Sequence, residues 1–487
     1  KTLPPTANFE EINPKLEIDD TAFYILDETR EWAERPDHPR RAGVSSFGFG
    51  GADYHIALEE YRPDDYSHRP VGVGFEVSAP STEPSKPETT WEEPSQHIVY
   101  FSADTFADLS QQVQAFSPDG SFVEACQQQN LSADASQKVR LALLASSPDE
   151  VRSLFEYFVE HKDKLNADIL KTKGIFYKEG DPVQSSEIAI MFPGQASQYL
   201  NMMKSIHDRY DTVRAWYHKA DAYWLPRHGH SVSSLIFQEE HEKDGALERL
   251  KETQNAHPSI FISSFALYDL LASMGLQADY MIGHSLGEIT ALAAADKLAF
   301  REALTLIEQR GYAFHDEQLD DPGKMISLMT SLQPAQELVE ESGLELSIAN
   351  VNSPTQVIVA GSSKAIEQFK EFLDDKEVTN KILFVSHAFH SPVVAPVAER
   401  FRERIQHLSF RSSSTRVMMN HTGSFYPNGV RDLKKVPDLL QEQILQTVNF
   451  QDSILKLYGK GVRLFVEVGP GSILSAQTKE ILGENPA

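Results

Sequence analysis

The stretch Met281–Phe300, MIGHSLGEITALAAADKLAF, places one serine between two glycines, Gly283-His284-Ser285-Leu286-Gly287. An apolar strand pattern, ADYMIGHS (278–285), runs into it, and a run of about twelve helix-compatible residues follows. A strand that ends in Gly-x-Ser-x-Gly and opens a helix makes a sharp turn, in which the glycines let neighbouring backbone approach the serine. The helix then aims N–H groups and its positive dipole end at the hydroxyl. On this reading Ser285 is a nucleophile and the N–H of Leu286 an oxyanion donor. The same pentapeptide also fits a glycine-rich strand–helix turn with no chemistry, and alone it does not choose.

Outward from that turn, residues 187 onward read as a large α/β domain. EIAIMF (187–192) is a buried strand running into PGQASQY, and VRLFVEVGPG (462–471) is a late strand with a Gly-Pro turn. GKMISLMTS, LELSIANVNSPTQVIVAG, KAIEQFKEFLDD and KILFVSHAF predict a compact βαββαβ insert over about 323–386. A serine needs a base, and SHAFHSPVV (386–394) offers His387 and His390. Their i, i+3 spacing could suit a metal, but no third ligand stands nearby and Pro392 follows, so no metal site is expected. For His390 the bland alternative, a satisfied core histidine, stays open on the residues alone.

The rest of the chain bounds the function class. With 487 residues there is room for two or three domains. A net charge of −26 argues against nucleic-acid binding. The single cysteine, Cys126, excludes a disulfide framework and a cysteine zinc site and suits a reducing, cytoplasmic setting. No apolar run is long enough to span a membrane. The start, KTLPPTANFEE, is expected to be the cut edge of a longer polypeptide. RRAGVSSFGFGGADYHIALEEY (40–61) predicts strand, glycine turn, strand. A Pro/Ser/Glu-rich connector is expected over 62–97. Over 98–186 the pattern predicts a small α/β unit, with Asp104 near one helix start and Ser147-Pro148 opening another.

FPGQASQY, GHSLGE, EQRGYAF, NVNSPTQVIVAG, HAFHSP, QILQTVNF and VEVGPGSIL occur in the order found in malonyl-CoA:acyl-carrier-protein transacylases. They resemble in particular the acyltransferase domains of polyunsaturated fatty acid synthases and iterative polyketide synthases. The resemblance covers about 187–480. It implies an α/β-hydrolase-like large subdomain with a parallel sheet and nucleophile elbow, plus an inserted ferredoxin-like βαββαβ subdomain. Residues 1–61 resemble the C-terminal tail of a ketosynthase, carrying none of its catalytic motifs, and 98–186 resemble the linker domain between ketosynthase and acyltransferase.

The resemblance assigns Ser285 as nucleophile, His390 as general base, and Gln443 as the residue that helps orient the histidine. Gln195 and Leu286 become backbone oxyanion donors. Arg310 becomes the partner of the malonyl carboxylate, where the residues alone read as a solvated cation at the end of REALTLIEQR. Phe389 limits room beside the α-carbon, and Asn352, His284 and His257 belong to the substrate surroundings. His257 stands where many relatives have glutamine, Ala196 where glycine is usual, and Thr447 where proline is common. The implied partners are malonyl-CoA, the phosphopantetheine thiol of an acyl carrier protein and an adjacent ketosynthase, with no cofactor bound by the domain. Competing readings are a thioesterase on the same serine, and a docking fragment without chemistry.

Overall fold

The computed structural model describes residues 2–6, 25–33, 40–47, 53–59, 95–118, 120–134, 136–181, 187–239, 245–317 and 319–483. Most of the expected connector and the glycine turn at 48–52 lie outside them. The chain divides into two compact units, Lys1–Glu88 and Thr89–Ala487. In the first, β1 (Thr2–Leu3) pairs antiparallel with β2 (Arg30–Glu31), and β3 (Arg41–Phe47) pairs antiparallel with β4 (Asp53–Glu59).

The second unit opens with β5 (His97–Ala103), α1 (Phe106–Ala115), α2 (Phe122–Ser132), β6 (Val139–Ala145), α3 (Pro148–His161) and β7 (Ile175–Glu179). These strands form an antiparallel sheet in the order β5-β6-β7. Alternating residues of β6 are buried, the period of a strand with one covered face. Helix α3 starts as its sequence predicts, with the Ser147 side chain accepting from the N–H of Glu150 and Pro148 in the first turn. Helix α1 is capped by Thr105, with Asp104 immediately before it. Val99, Phe101, Leu141, Leu143, Phe155 and Phe158 belong to a core separate from that of the residues beyond 187, and Cys126 is buried in it.

The larger sheet carries the serine. Strand β8 (Glu187–Phe192) is buried over its last four residues. Helix α4 (Asp211–His228) and the largely buried α5 (Thr253–Ser273) follow it. Next come β9 (Tyr280–Gly283), α6 (Gly287–Ala294) and α7 (Phe300–Asp316). The ferredoxin-like insert follows: β10 (Lys324–Leu328), α8 (Leu332–Ser342), β11 (Leu346–Ser353), β12 (Gln356–Gly361), α9 (Ser363–Asp375) and β13 (Asn380–Ile382). The chain then returns through α10 (Ala395–Ile405), β14 (Arg416–Met419), β15 (Ser424–Phe425), α11 (Val436–Leu445), β16 (Val448–Asn449), β17 (Val462–Glu467) and α12 (Ile473–Leu482).

The large sheet runs β15-β14-β9-β8-β17; β14, β9, β8 and β17 are parallel and β15 is an antiparallel edge. The small sheet runs β13-β10-β12-β11-β16. Its fifth strand, β16, pairs parallel with β11 from outside the insert, so the smaller sheet extends past the predicted boundaries of 323–386. Two local expectations are corrected. The helix after the serine ends at Ala294, eight residues rather than twelve, where Asp296 adopts φ 56° and turns the chain. The strand expected over 381–389 stops at Ile382, which frees the chain to carry His387–His390 to the serine. Among the described residues no helix is long and apolar enough to cross a membrane.

Candidate active site

Ser285 sits between β9 and α6 with φ 51°, a left-handed conformation that a residue with a side chain rarely adopts. Both flanking glycines are sterically required. A Cβ on Gly283 would lie 1.8 Å from the main-chain carbon of Gly287, and one on Gly287 would lie 2.1 Å from the Phe192 carbonyl oxygen. The turn therefore packs directly against the end of the neighbouring strand β8.

His390 reaches Ser285 from the segment after the insert, and the serine Oγ lies 2.8 Å from its Nε2. The other ring nitrogen, Nδ1, is 3.0 Å from the Gln443 carbonyl and 3.1 Å from that of Gln446. Carbonyls only accept, so Nδ1 carries the proton and Nε2 is left as acceptor for the serine hydroxyl. Burial first, then the Arg310 charge and His284, pull His390 down to about 3. The imidazole is thus neutral at neutral pH, the state a general base requires. The resemblance implied that Gln443 orients the histidine; the hydrogen bond comes from its main chain. Its side chain donates instead from Nε2 to the Ser285 carbonyl, 2.8 Å away.

A second amide holds the other side of the same residue: the Ser285 N–H donates to Asn420 Oδ1 at 3.4 Å. Asn420 follows β14 and is fully buried. Its own N–H donates to Glu288 Oε1 at 3.1 Å, and the Tyr426 hydroxyl donates to Glu288 Oε2 at 2.9 Å. Glu288 lies in the first turn of α6, fully buried. Burial pushes its carboxyl up to about 7, opposed by the bonds from Asn420, Tyr426 and Gln443 and by the charge of Arg310. Asn420, Glu288 and Tyr426 were not singled out in the sequence. The signal for Glu288 was there: EITALAAA is apolar on every face, so an acid in it is buried rather than solvated.

Arg310 is 2% exposed, in the interior of α7, which continues to Asp316. The alternative of a solvated cation at a helix end is therefore wrong. Its Nη2 is 3.2 Å from Ser285 Oγ and 3.5 Å from Gln443 Oε1, and its Nε has no partner. Burial pulls it down to about 10, against the opposing charge of Glu288, so it stays cationic at neutral pH.

Ser285, His390 and Arg310 line a cavity of about 240 Å³ with Gln195, Leu286, Phe389, His257, His284 and Asn352. Among the described residues neither the Gln195 nor the Leu286 N–H has a hydrogen-bond partner, as an oxyanion site requires. Ala196 beside Gln195 has φ 82°, which gives the physical reason glycine suits that position. The Gln195 side chain donates to Thr253 Oγ1 at 3.3 Å, and its Oε1 lies 3.3 Å from His257 Nε2. Burial, then Arg310, holds His257 well below the usual histidine range. His284 Nε2 is 2.9 Å from Asn352 Oδ1 on β11, and Asn352 donates to Gln356 at 2.9 Å, joining the serine turn to the smaller sheet. The Phe389 ring packs on Phe314, centroids 4.6 Å apart. All ten residues singled out in the sequence thus line one cavity or, as Gln443, lie directly behind it. No cluster of His, Cys, Asp and Glu able to hold a metal occurs among the described residues.

The geometry is that of a serine hydrogen-bonded to a neutral histidine, with a buried cation beside it. The acyl transferase domain family model matches residues 190–485. The chain is 30% identical over 301 residues to the malonyl CoA-acyl carrier protein transacylase of Bacillus subtilis, covering 61% of this chain and 90% of that protein. It is 26% identical to a polyunsaturated fatty acid synthase polypeptide of Thraustochytrium sp., over 100% of this chain but only 18% of that protein. The malonyl-transacylase of a type II PKS, solved in complex with its holo acyl-carrier protein, aligns with a TM-score of 0.54 at 25% identity, over 61% of this chain and 93% of that one. The match thus spans nearly the whole of the Bacillus relative and a small part of the Thraustochytrium one. From strand β8 to its C-terminal helix, this chain belongs to the acyl transferase domain family.

Proposed function

We propose that the chain transfers malonyl from malonyl-CoA to the phosphopantetheine thiol of an acyl carrier protein, through an O-malonyl-Ser285 intermediate. The observation that carries this is the placement of a buried guanidinium, Arg310, 3.2 Å from the hydroxyl that His390 activates. A malonyl thioester whose carbonyl carbon meets Ser285 Oγ carries its free carboxylate about two bonds further, within reach of that guanidinium. A planar fork can hold a carboxylate through two parallel hydrogen bonds. An acetyl group would leave the same buried cation unpaired.

His390 takes the Ser285 proton as the oxygen attacks, and the free N–H groups of Gln195 and Leu286 receive the oxyanion. The proton passes to the leaving sulfur, CoA departs as the thiol, and the carrier thiol then reverses the sequence. Phe389 disfavours an α-methyl branch. A hydrolase on the same serine has no use for Arg310. Residues 1–61 are read as the tail of an adjacent ketosynthase and 98–186 as the linker domain.

Intact-mass measurement after mixing with malonyl-CoA tests the proposal. A malonyl adduct on the wild type and none on Ser285→Ala is expected, with the adduct passing to a holo carrier protein faster than to water. Hydrolysis without transfer would overturn it.

A further inference from the structure

Arg310 is a buried cation with no ion pair among the described residues: its polar contacts are Ser285 Oγ and Gln443 Oε1, both neutral. An isolated buried charge is costly, so a counter-charge is needed while the pocket is empty. Glu288 meets that need. It is fully buried behind the same serine turn, its oxygens take the Asn420 N–H and the Tyr426 O–H with the Gln443 side chain beside them, and it interacts electrostatically with Arg310. Neither residue touches the other directly. Gln443 lies between them, donating to the Ser285 carbonyl while its Oε1 accepts from Arg310.

The inference rests on the proposed malonyl reading. When a malonyl carboxylate pairs with Arg310, two anions share one cation in a small, water-poor site. Like charges so placed do not both remain ionised. The substrate carboxylate has direct contact with the guanidinium and Glu288 does not, so Glu288 is the group that gives way. We propose that Glu288 is the exchangeable counter-charge of Arg310: ionised in the empty enzyme, protonated once malonyl is bound, so that malonyl loading takes a proton from solvent.

The surroundings agree. Tyr426 is the other titratable group facing Glu288, and burial keeps its phenol protonated. His390 and His257, which share the field of Arg310, are held neutral by burial. The carboxyl itself stands at about 7, so exchange at neutral pH is inexpensive. The chemical step is proton-neutral, since the Ser285 proton leaves on the CoA sulfur. Net uptake therefore reports the counter-charge, and Glu288 acts as a positioning residue.

The test mixes stoichiometric enzyme and malonyl-CoA in weak buffer with a pH indicator at about pH 7.5, counting acyl-serine by mass. Proton uptake of less than one per malonyl-serine should be seen, and none per acetyl-serine formed from acetyl-CoA. Glu288→Gln, however slowly it loads, should form malonyl-serine without uptake. Tyr426→Phe removes a donor, raises the titration of Glu288, and should shrink the uptake at this pH. Malonyl-serine formed without uptake in the wild type, or uptake that persists in Glu288→Gln, overturns the inference. Absence of any malonyl-serine overturns the underlying reading, and this inference with it.

Discussion

Replacing Arg310 with alanine separates the role of its charge from its place in the core. The side chain is 2% exposed and its Nε has no partner, so a bound carboxylate would form its hydrogen bonds with little competition from water. Two charge-assisted bonds in such a site contribute about 3–5 kcal/mol, or about 200- to 5,000-fold in kcat/KM for malonyl-CoA. Acetyl-CoA has no carboxylate to lose. Its loading should hold or rise, because the methyl group no longer faces an unpaired guanidinium. The fold should survive, since Glu288, already at about 7, becomes neutral by protonation once its counter-charge is gone. Arg310→Lys keeps the charge without the planar fork and should fall between the two. Acyl-CoA profiling with mass detection of the Ser285 adduct reads both substrates in one experiment. An equal fall for malonyl and acetyl would refute the reasoning and make Arg310 a structural residue.

Gln443→Leu leaves the Ser285 carbonyl without its donor, and should lower kcat about 10- to 100-fold with little change in KM, read by single-turnover acylation. His390 titrates at about 3 in the folded protein and near 6.5 when unfolded, so the unfolded chain binds more protons between those values. Stability should therefore fall as pH drops from about 6.5 toward 3 in urea unfolding, and His390→Gln should flatten that limb. Glu288 acts with the opposite sign: its folded value of about 7 exceeds the unfolded 4.5, so stability should fall as pH rises from about 4.5 through 7, and Glu288→Gln should remove that fall. Phe389→Ser opens space beside the α-carbon and should admit methylmalonyl-CoA, while losing about 3 kcal/mol of stability because the ring is buried against Phe314.

What was legible in the sequence follows from the range of each interaction. The serine turn is a local steric object: glycines at 283 and 287 are required by backbone contacts within the turn and with β8, and a pentapeptide can display that. The insert was readable because its strands and helices each repeat their own period. His390 was not readable from physics alone, because its partner lies 105 residues away in the chain. Arg310 misled for a similar reason. Its helix continues beyond the apparent end, and only packing against the serine turn makes it a buried cation. Asn420 gave no signal, since an asparagine after a short strand is ordinary until the strand is known to lie beside β9.

The strained residues show why the site depends on the whole fold. Ala196, Ser285 and His390 all adopt left-handed backbone, at φ 82°, 51° and 58°. Such conformations cost about 1–3 kcal/mol each and persist only where surrounding structure over-determines them. At two of the three the anchors come from distant segments. Ser285 is held on its N–H by Asn420 and on its carbonyl by Gln443. His390 donates its N–H to the Ile444 carbonyl, and its ring is fixed by the carbonyls of Gln443 and Gln446. One short segment, the end of α11, therefore sets both the nucleophile and its base. A displacement there would change the 2.8 Å Ser285–His390 contact without touching either residue. Ala196 is the exception: its anchor, Gln198, is local, and its loop carries the one oxyanion N–H that the α11 segment does not position.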